Sequence, residues 1–342
     1  MSQILVDIIS PSTGTTVTFT SPVQQENTTA SGGASSSWGS YTVASGPASH
    51  AEGTTTTASG PFAHSEGTNT IASGNQSHAE GGFTTASGTN SHAEGYQTTA
   101  IGLVSHVEGS GSTADSSCSH AEGANTKALG FGAHAEGRGT YASGEASHAE
   151  GKNTYAIYAY SHAEGFQTSA DNIATHAEGY QTIASGDYSH SEGWLTSAIG
   201  ASSHAEGTST TASGTSSHSE GQQTIASGNA SHAEGATTTA SGAQSHAEGS
   251  GTIASGQFSH AGGASSTASG QASFVHSFGS TASGARSAVI GGASITGSAD
   301  DTVYTPRLET AMTGEGIIMK SPDGTRYKVT VANGGTISVV SA

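Results

Sequence analysis

A period of fourteen residues constrains the fold of this 342-residue chain more than any other feature. Histidine recurs at every fourteenth position from His50 to His260, so that sixteen of the seventeen histidines share one phase. Glutamate follows two residues later in fifteen consecutive repeats, from Glu52 to Glu248. The second half of each repeat approximates Thr-x-Ala-Ser-Gly, as in residues 56–60. A fixed short period of this kind is typical of stacked repeat proteins rather than of a globular core.

Each repeat contains two short alternating runs, Ser-His-Ala-Glu-Gly and Thr-x-Ala-x-Gly, separated by turn-like residues. Recurring Gly and Thr disfavour a helix, and the alternation predicts two strands of about five residues per coil of a solenoid. The small residues share one parity and face the interior, whereas His50 and Glu52 face outward. Such an interior buries little apolar area, so we expect neighbouring chains to supply additional stability.

The two runs together resemble the fourteen-residue head repeat of trimeric autotransporter adhesins of the YadA type, usually Ser-Val-Ala-Ile-Gly followed by Ser-x-Ala-x-Gly. Residues 287–291, Ser-Ala-Val-Ile-Gly, come closest to that form, and the resemblance covers about residues 28–298. It implies an all-β fold, a left-handed parallel β-roll solenoid of 14-residue coils. It also implies a homotrimer, intertwined or side by side, with the Val/Ile face toward the threefold axis. This chain places His and Glu at those two positions.

The period divides the chain into three predicted segments. Residues 1–27 form an N-terminal β cap or attachment segment, with strands over 4–9 and 15–20. Residues 28–298 form a shaft of about nineteen coils, roughly 90 Å long at one strand spacing per coil. Residues 299–342 form a C-terminal β-meander cap with turns at Ser-Pro-Asp-Gly and Asn-Gly-Gly. This last segment is also similar to C-terminal segments of phage and phage-derived tail-fibre proteins, and the Ser-His-Ala-Glu-Gly repeats resemble those of phage tail appendages.

The outward His and Glu side chains form the first candidate site, an axial network. Its members include His50, Glu52, His64, Glu66, His78, Glu80, His92, Glu94, His148, Glu150, His204, Glu206, His246 and Glu248. Three interpretations remain open: a trimer interface with His and Glu paired between chains, rings that hold metal ions or anions on the threefold axis, and a solvent-exposed ladder. Buried carboxylates near an axis would repel one another unless each accepts a hydrogen bond, which His supplies. If they pair, we expect Glu to raise the pKa of His and stability to peak on the mildly acidic side of neutral.

Aromatic residues between 141 and 194 form the second candidate site. Phe166, Tyr180 and Trp194 share the position after the repeat glycine, so we expect them to stack one coil apart on the outer edge. Exposed rings in a row offer faces to sugars, and Phe166, Tyr180, Trp194, Tyr155 and Tyr188 are therefore candidate glycan-binding residues. The alternative is that stacked aromatics only stabilise the turns of a long roll.

Composition excludes several classes of function. The formal charge is −18, and without the fifteen repeat glutamates 11 acidic residues stand against 8 basic ones, so no basic stripe for nucleic acid exists. No long apolar run or signal-peptide pattern predicts membrane insertion or export. A single cysteine, Cys118, excludes an intrachain disulfide framework. Fifteen identical His-x-Glu pairs are unlike one tuned catalytic site, so we expect neither an enzyme nor a cofactor.

The sequence therefore predicts a structural fibre or adhesin of a phage or phage-like tail. Its expected partners are two further copies of itself, other tail proteins, and a glycan or protein receptor on a bacterial surface. We expect synthesis in the host cytoplasm without a signal peptide, and then residence in a virion tail or extracellular particle. The alternative is a metal- or ion-binding His/Glu ladder protein. An ice-binding solenoid is weaker, because the outward position of the second run changes from Thr to Ile, Lys and Tyr along the chain.

Overall fold

A computed structural model of the protein describes residues 27–307, 317–331, 335 and 337–341. Within these residues the chain is all-β, a parallel β-solenoid of about twenty coils, most of them fourteen residues long, which confirms the predicted fold class. The strands predicted over 4–9 and 15–20 lie outside the described residues. The described residues contain no helix capable of crossing a bilayer.

Each coil contributes one strand to each of two parallel sheets. The long-strand sheet consists of Ser36–Ser40, His50–Thr54, His64–Thr68, His78–Gly82, His92–Tyr96, His106–Ser110, His120–Ala124, His134–Arg138, His148–Lys152, His162–Phe166, His176–Tyr180, His190–Trp194, His204–Thr208, His218–Gln222, His232–Ala233, His246–Ala247, His260–Ala264, Phe274–Phe278, Ala288–Ala293 and Val303–Tyr304. The short-strand sheet consists of Thr29–Ala30, Val43–Ala44, Thr57–Ala58, Ile71–Ala72, Thr85–Ala86, Thr99–Ala100, Thr113–Ala114, Lys127–Ala128, Tyr141–Ala142, Tyr155–Ala156, Ser169–Ala170, Ile183–Ala184, Ser197–Ala198, Thr211–Ala212, Ile225–Ala226, Thr239–Ala240, Ile253–Ala254, Thr267–Ala268, Thr281–Ala282 and Thr296–Gly297. Pairing is in register, one period apart, so that equivalent residues of successive coils lie side by side.

The prediction of two five-residue strands per coil is wrong for the second run, whose strand has only two residues. The chain bends directly after Ala58, because the amides of Ser59 and Gly60 both donate to the carbonyl oxygen of Ala72, at 2.9 and 3.3 Å. One acceptor thus serves two consecutive donors, and the extended ladder cannot continue past this point.

The interior contains only small side chains, as the alternation predicts. Every buried apolar side chain of the described residues is an alanine except Val107, Val275 and Val289, and buried Ser and Thr fill the remaining positions. Where Ser65 replaces the inward alanine of the long strand, its hydroxyl lies 2.7 Å from the hydroxyl of Thr70 across the coil. The same pairing recurs in other coils with this replacement, so the polar substitution is satisfied internally.

The glycine of the long strand permits the close stacking of coils. Gly165 has φ of +113°, and a Cβ atom there would lie 2.2 Å from the carbonyl oxygen of Gly179 in the next coil. A corner follows the long strand, and Gln167, two residues after Gly165, also has a positive φ there. Its amide donates to the carbonyl oxygen of Lys152 in the preceding coil, at 2.9 Å. Hydrogen bonds between successive coils therefore hold these unfavourable backbone conformations in place.

The period changes near the end of the solenoid. Ala288 pairs with Val303, a spacing of fifteen residues, and the register shifts at Gly291 and Gly292, both of which have positive φ. Parallel pairing continues to Val303–Tyr304. Farther along the chain, the strands Ile317–Lys320, Arg326–Val331 and Ile337–Ser341 form a small antiparallel sheet, as expected for a C-terminal meander.

Candidate functional site

The histidines of the repeat form a continuous stack, termed here the His column, from His50 to His260. Each is the first residue of a long strand, and each lies beside its equivalent in the next coil. From His64 to His246 the rings are nearly parallel, with centroids 4.6 to 4.9 Å apart. This separation equals the spacing of neighbouring strands, so backbone pairing alone brings the imidazoles to a stacking distance. About a third of each ring remains exposed.

The glutamates form a parallel row, the Glu column, from Glu52 to Glu248, on the same outward side of the long strands. In the first half of the solenoid a carboxylate oxygen lies near the Nε2 atom of the histidine in the same coil, as in the 3.2 Å contact of Glu52 with His50. From Glu192 onward the carboxylate lies near the histidine of the following coil instead. Glu234, for example, lies 3.0 Å from His246. Each glutamate can therefore serve either of two histidines.

The change of partner falls between Glu178 and Glu192. A shallow groove of about 500 Å³ follows the Glu column from this point, lined by Glu178, Glu192, Glu206, Glu220 and Glu234 with the glycines beside them. Its walls are carboxylates and backbone, so it favours cationic or hydrogen-bond-donating groups.

Most histidines in the column are incompletely satisfied by their own chain. From His64 to His232 the Nε2 atoms are shielded from solvent and make no hydrogen bond within the described residues. For most of these histidines the nearest carboxylate lies at 3.4 to 4.0 Å, as for His64 and Glu66, and does not reach hydrogen-bond geometry. An unpaired shielded polar atom costs about 1–3 kcal/mol. The face formed by the His and Glu columns therefore has unused capacity for polar partners.

Electrostatics correct one expectation from the sequence. Burial lowers the pKa of His162, and the neighbouring His176 lowers it further, whereas the surrounding glutamates only partly oppose these effects. The pKa of His176 is lowered by burial and by His190 in the same way. The expectation that Glu raises the pKa of its partner His is therefore wrong at these positions. Stacking places each imidazole beside other imidazoles as well as beside carboxylates, and the stack covers part of each ring.

Among the carboxylates, the pKa of Glu234 is shifted in the direction expected for a glutamate paired with histidine. Burial raises the pKa of Glu234, but the hydrogen bonds with His246 and Glu220 and the nearby His232 together outweigh it, and the pKa lies below its ordinary value. All fourteen candidate network residues, from His50 and Glu52 to His246 and Glu248, lie on this one outward face. Whether the face points toward a threefold axis stays a prediction.

The aromatic candidates divide into two groups on different sheets. Phe166 and Tyr180 stack with centroids 5.0 Å apart and an interplanar angle of 9°, and Trp194 meets Tyr180 edge to face at 6.2 Å. These three rings, the aromatic ladder, lie at the ends of successive long strands. Tyr155 instead stacks on Tyr141 in the short-strand sheet.

Tyr188 belongs to neither stack, but occupies a corner with φ of +58° and is 67% exposed. Lys152, next to the aromatic ladder, was not among the residues predicted from the sequence. The Lys152 ammonium lies 5.1 Å from the ring centroid of Phe166 and extends the row by one coil. Its position one period before Phe166 is the signal that would have identified it.

Comparison with known proteins agrees with the repeat geometry. Segments 39–63, 51–77, 65–91, 79–105, 93–114, 195–217 and 219–245 match the model of the YadA head domain repeat (2 copies). No curated protein matches the chain. The matched segments include parts of the His and Glu columns, whereas the three residues of the aromatic ladder lie outside them.

Proposed function

We propose that the chain is a structural fibre protein with adhesin character, assembled from three copies, in the tail of a phage or phage-like particle. The observation that carries this proposal is the unbroken parallel stack of about twenty coils that presents one repeated face, combined with YadA head domain repeats. A stack of this kind makes a rigid rod about 90 Å long at one strand spacing per coil.

Two properties of the single chain support a trimer. The interior consists of Ala, Ser, Thr and a few Val side chains, so one chain gains little from apolar burial. The outward face has unpaired Nε2 atoms, and apolar residues occupy its glutamate phase at both ends, Trp38 at 41% and Ile290 at 49% exposure. Carboxylates of neighbouring chains would supply the missing acceptors, and the same contact would cover Trp38 and Ile290. YadA head domains, which these repeats resemble, are trimeric.

The arrangement we propose is side by side rather than intertwined. Each long strand of the solenoid pairs with the equivalent strand of its own chain one period away, as His148–Lys152 pairs with His162–Phe166 over five residues. The corner amides also find acceptors within the chain. Packing of the outward faces leaves these bonds intact, whereas an intertwined arrangement would have to replace them by bonds between chains.

The tail setting rests on similarity and not on geometry. Ser-His-Ala-Glu-Gly repeats resemble those of phage tail appendages, and the C-terminal antiparallel sheet is similar to segments of tail-fibre proteins. In this setting one end of the rod joins other tail proteins, and the protein resides in a virion tail or extracellular particle after synthesis in the host cytoplasm. The aromatic ladder supplies a surface for a glycan on the bacterial surface.

Negative-stain microscopy of particles carrying a C-terminal label tests the setting. We expect label at the tail, at one end of rods of the predicted length. Purified particles without label, alongside the protein in an unattached form, would contradict a tail fibre. Particles whose protein lacks the C-terminal attachment point, treated with the same label at the same particle number, are the control for non-specific adsorption of the label.

A further inference from the structure

The repeat pattern changes at the end of the His and Glu columns in a way that brings three metal-ligand side chains together. Gly262 stands where fifteen earlier repeats have glutamate, and Phe274 stands where sixteen repeats have histidine. His276, the one histidine outside the common phase, occupies the glutamate position of the following coil. Because the strands pair in register, His276 lies directly beside Gly262.

The missing side chain of Gly262 leaves a space that Glu248, His260 and His276 border. The Oε1 atom of Glu248 lies 3.2 Å from Nε2 of His260 and 3.6 Å from Nδ1 of His276. All three ligand atoms lie within 4.8 Å of one another. A Cβ atom on Gly262 would lie 2.7 Å from the Nδ1 atom of His276 and 2.9 Å from the Glu248 oxygen. The glycine is therefore what allows the imidazole and the carboxylate to converge.

These separations suit a small divalent ion. Zinc binds imidazole nitrogen and carboxylate oxygen at about 2.0–2.2 Å in tetrahedral geometry, which places neighbouring ligand atoms roughly 3.3 to 3.5 Å apart. Two imidazoles and one carboxylate favour zinc, nickel or cobalt over magnesium or calcium, which prefer oxygen ligands. The His276 side chain is 58% exposed in the single chain, so the remaining coordination position is accessible to water or to a group from a neighbouring chain.

The repeated part of the columns is less suited to the same ion. His232, Glu234 and His246 also bring three ligand atoms within 4.8 Å. However, the two rings are stacked with an interplanar angle of 7°, so their in-plane lone pairs run parallel and do not meet at one point. His260 differs, because its ring is inclined by 55° to that of His246. His276 differs as well, since it approaches from the glutamate phase and offers Nδ1.

We propose that Glu248, His260 and His276 form a binding site for one divalent transition-metal ion of the zinc class in each chain. The site goes beyond the structural function proposed above and does not depend on it. An ion at this position would join three successive coils, because its ligands come from three consecutive long-strand positions of the stack.

Calorimetric titration of the full-length, metal-depleted protein with zinc chloride tests the site, and the absorption spectrum of added cobalt reports the ligand geometry. We expect one tightly bound ion per chain and a cobalt spectrum typical of tetrahedral nitrogen and oxygen ligation. His276→Gln should weaken zinc binding at least tenfold, and Gly262→Ala should do the same by filling the space between the ligands.

His120→Gln is the matched control, because it removes an imidazole from the repeated part of the column, and it should leave this binding unchanged. Each variant is first compared with the parent by thermal melting without metal. Should His276→Gln fail to fold, Gly262→Ala and the cobalt spectrum of the parent still decide the matter. Absence of tight zinc binding in the parent would overturn the proposal. So would a stoichiometry of many equivalent ions per chain, or equal weakening by His120→Gln.

Discussion

The imidazole rings of His162 and His176 lie face to face, with centroids 4.7 Å apart and planes inclined by only 9°. Simultaneous protonation would place two positive charges at this distance within a partly buried stack, and the same relationship repeats along the column. Burial is the larger cause that lowers the pKa of both rings, and repulsion from the next ring in the stack lowers it further, from His176 for His162 and from His190 for His176. The His column is therefore most stable as a stack of neutral rings.

Acid should destabilise the solenoid through these histidines. In the folded protein their pKa lies below the unfolded value of about 6.5, so below that pH the unfolded chain binds more protons. The contribution is fully present above about pH 6.5 and is lost as pH falls through the folded pKa. The lowered pKa of Glu234 acts in the same direction at lower pH. We expect the melting temperature to rise from pH 4.5 to pH 7 and then to level off. A maximum on the acidic side would contradict the stacked neutral column.

A single methyl group on the repeat glycine should disrupt the stacking of coils. Gly165→Ala places a Cβ atom 2.2 Å from the Gly179 carbonyl oxygen at a φ of +113°. We expect a loss of at least about 3 kcal/mol in the free energy of unfolding. Gly82→Ala is the matched control, because the new Cβ would meet only the flexible Tyr96 side chain at 3.2 Å. Denaturant unfolding of both variants measures the difference, and similar stabilities would show that the coils are spaced more widely than the structure has them.

The alanine positions of the interior should reject larger side chains although they are apolar. Ala163 is completely buried and faces alanine in both neighbouring coils, so Ala163→Leu should cost about 1–3 kcal/mol or more through overpacking. Ala124→Leu, at a half-buried outward position, should stay within about 0.5 kcal/mol of the parent. Thermal or denaturant unfolding compares the two. An Ala163→Leu variant as stable as the parent would indicate a looser interior than the one described.

The aromatic ladder should carry glycan recognition if the protein is an adhesin. Replacement of Phe166, Tyr180 and Trp194 by serine should abolish binding to an array of bacterial surface polysaccharides while the melting temperature stays close to that of the parent. Replacement of the exposed Phe62 and Phe258, which lie outside the aromatic ladder, is the control and should retain binding. Undiminished binding by the triple variant would move the receptor site elsewhere, with residues 299–342 as the next candidate.

The period alone predicts most of the fold. A histidine at every fourteenth position requires equivalent residues to share one face of a regular stack, and small residues of opposite parity must fill its interior. Both consequences hold for His162 and Ala163, neighbours in one strand: His162 is on its outward face, and Ala163 is on the face that is buried in the interior. The stacking of Phe166 on Tyr180 also follows from phase, since both residues occupy the position after the repeat glycine.

Other features depend on distances that the sequence does not contain. The change of partner along the Glu column is a choice between two histidines at similar distance, and identical repeats give no sign of where it falls. The sign of the histidine pKa shift depends on burial and ring stacking, which outweigh the adjacent glutamate. Glu248, His260 and His276 come from three different repeats, and their convergence depends on the room above Gly262.

Multi-angle light scattering of the purified full-length protein tests the central claim, a trimeric rod, most directly. We expect a mass three times that of one chain, unchanged on dilution, in a particle whose hydrodynamic radius exceeds that of a sphere of the same mass. A monodisperse particle with the mass of a single chain would contradict it.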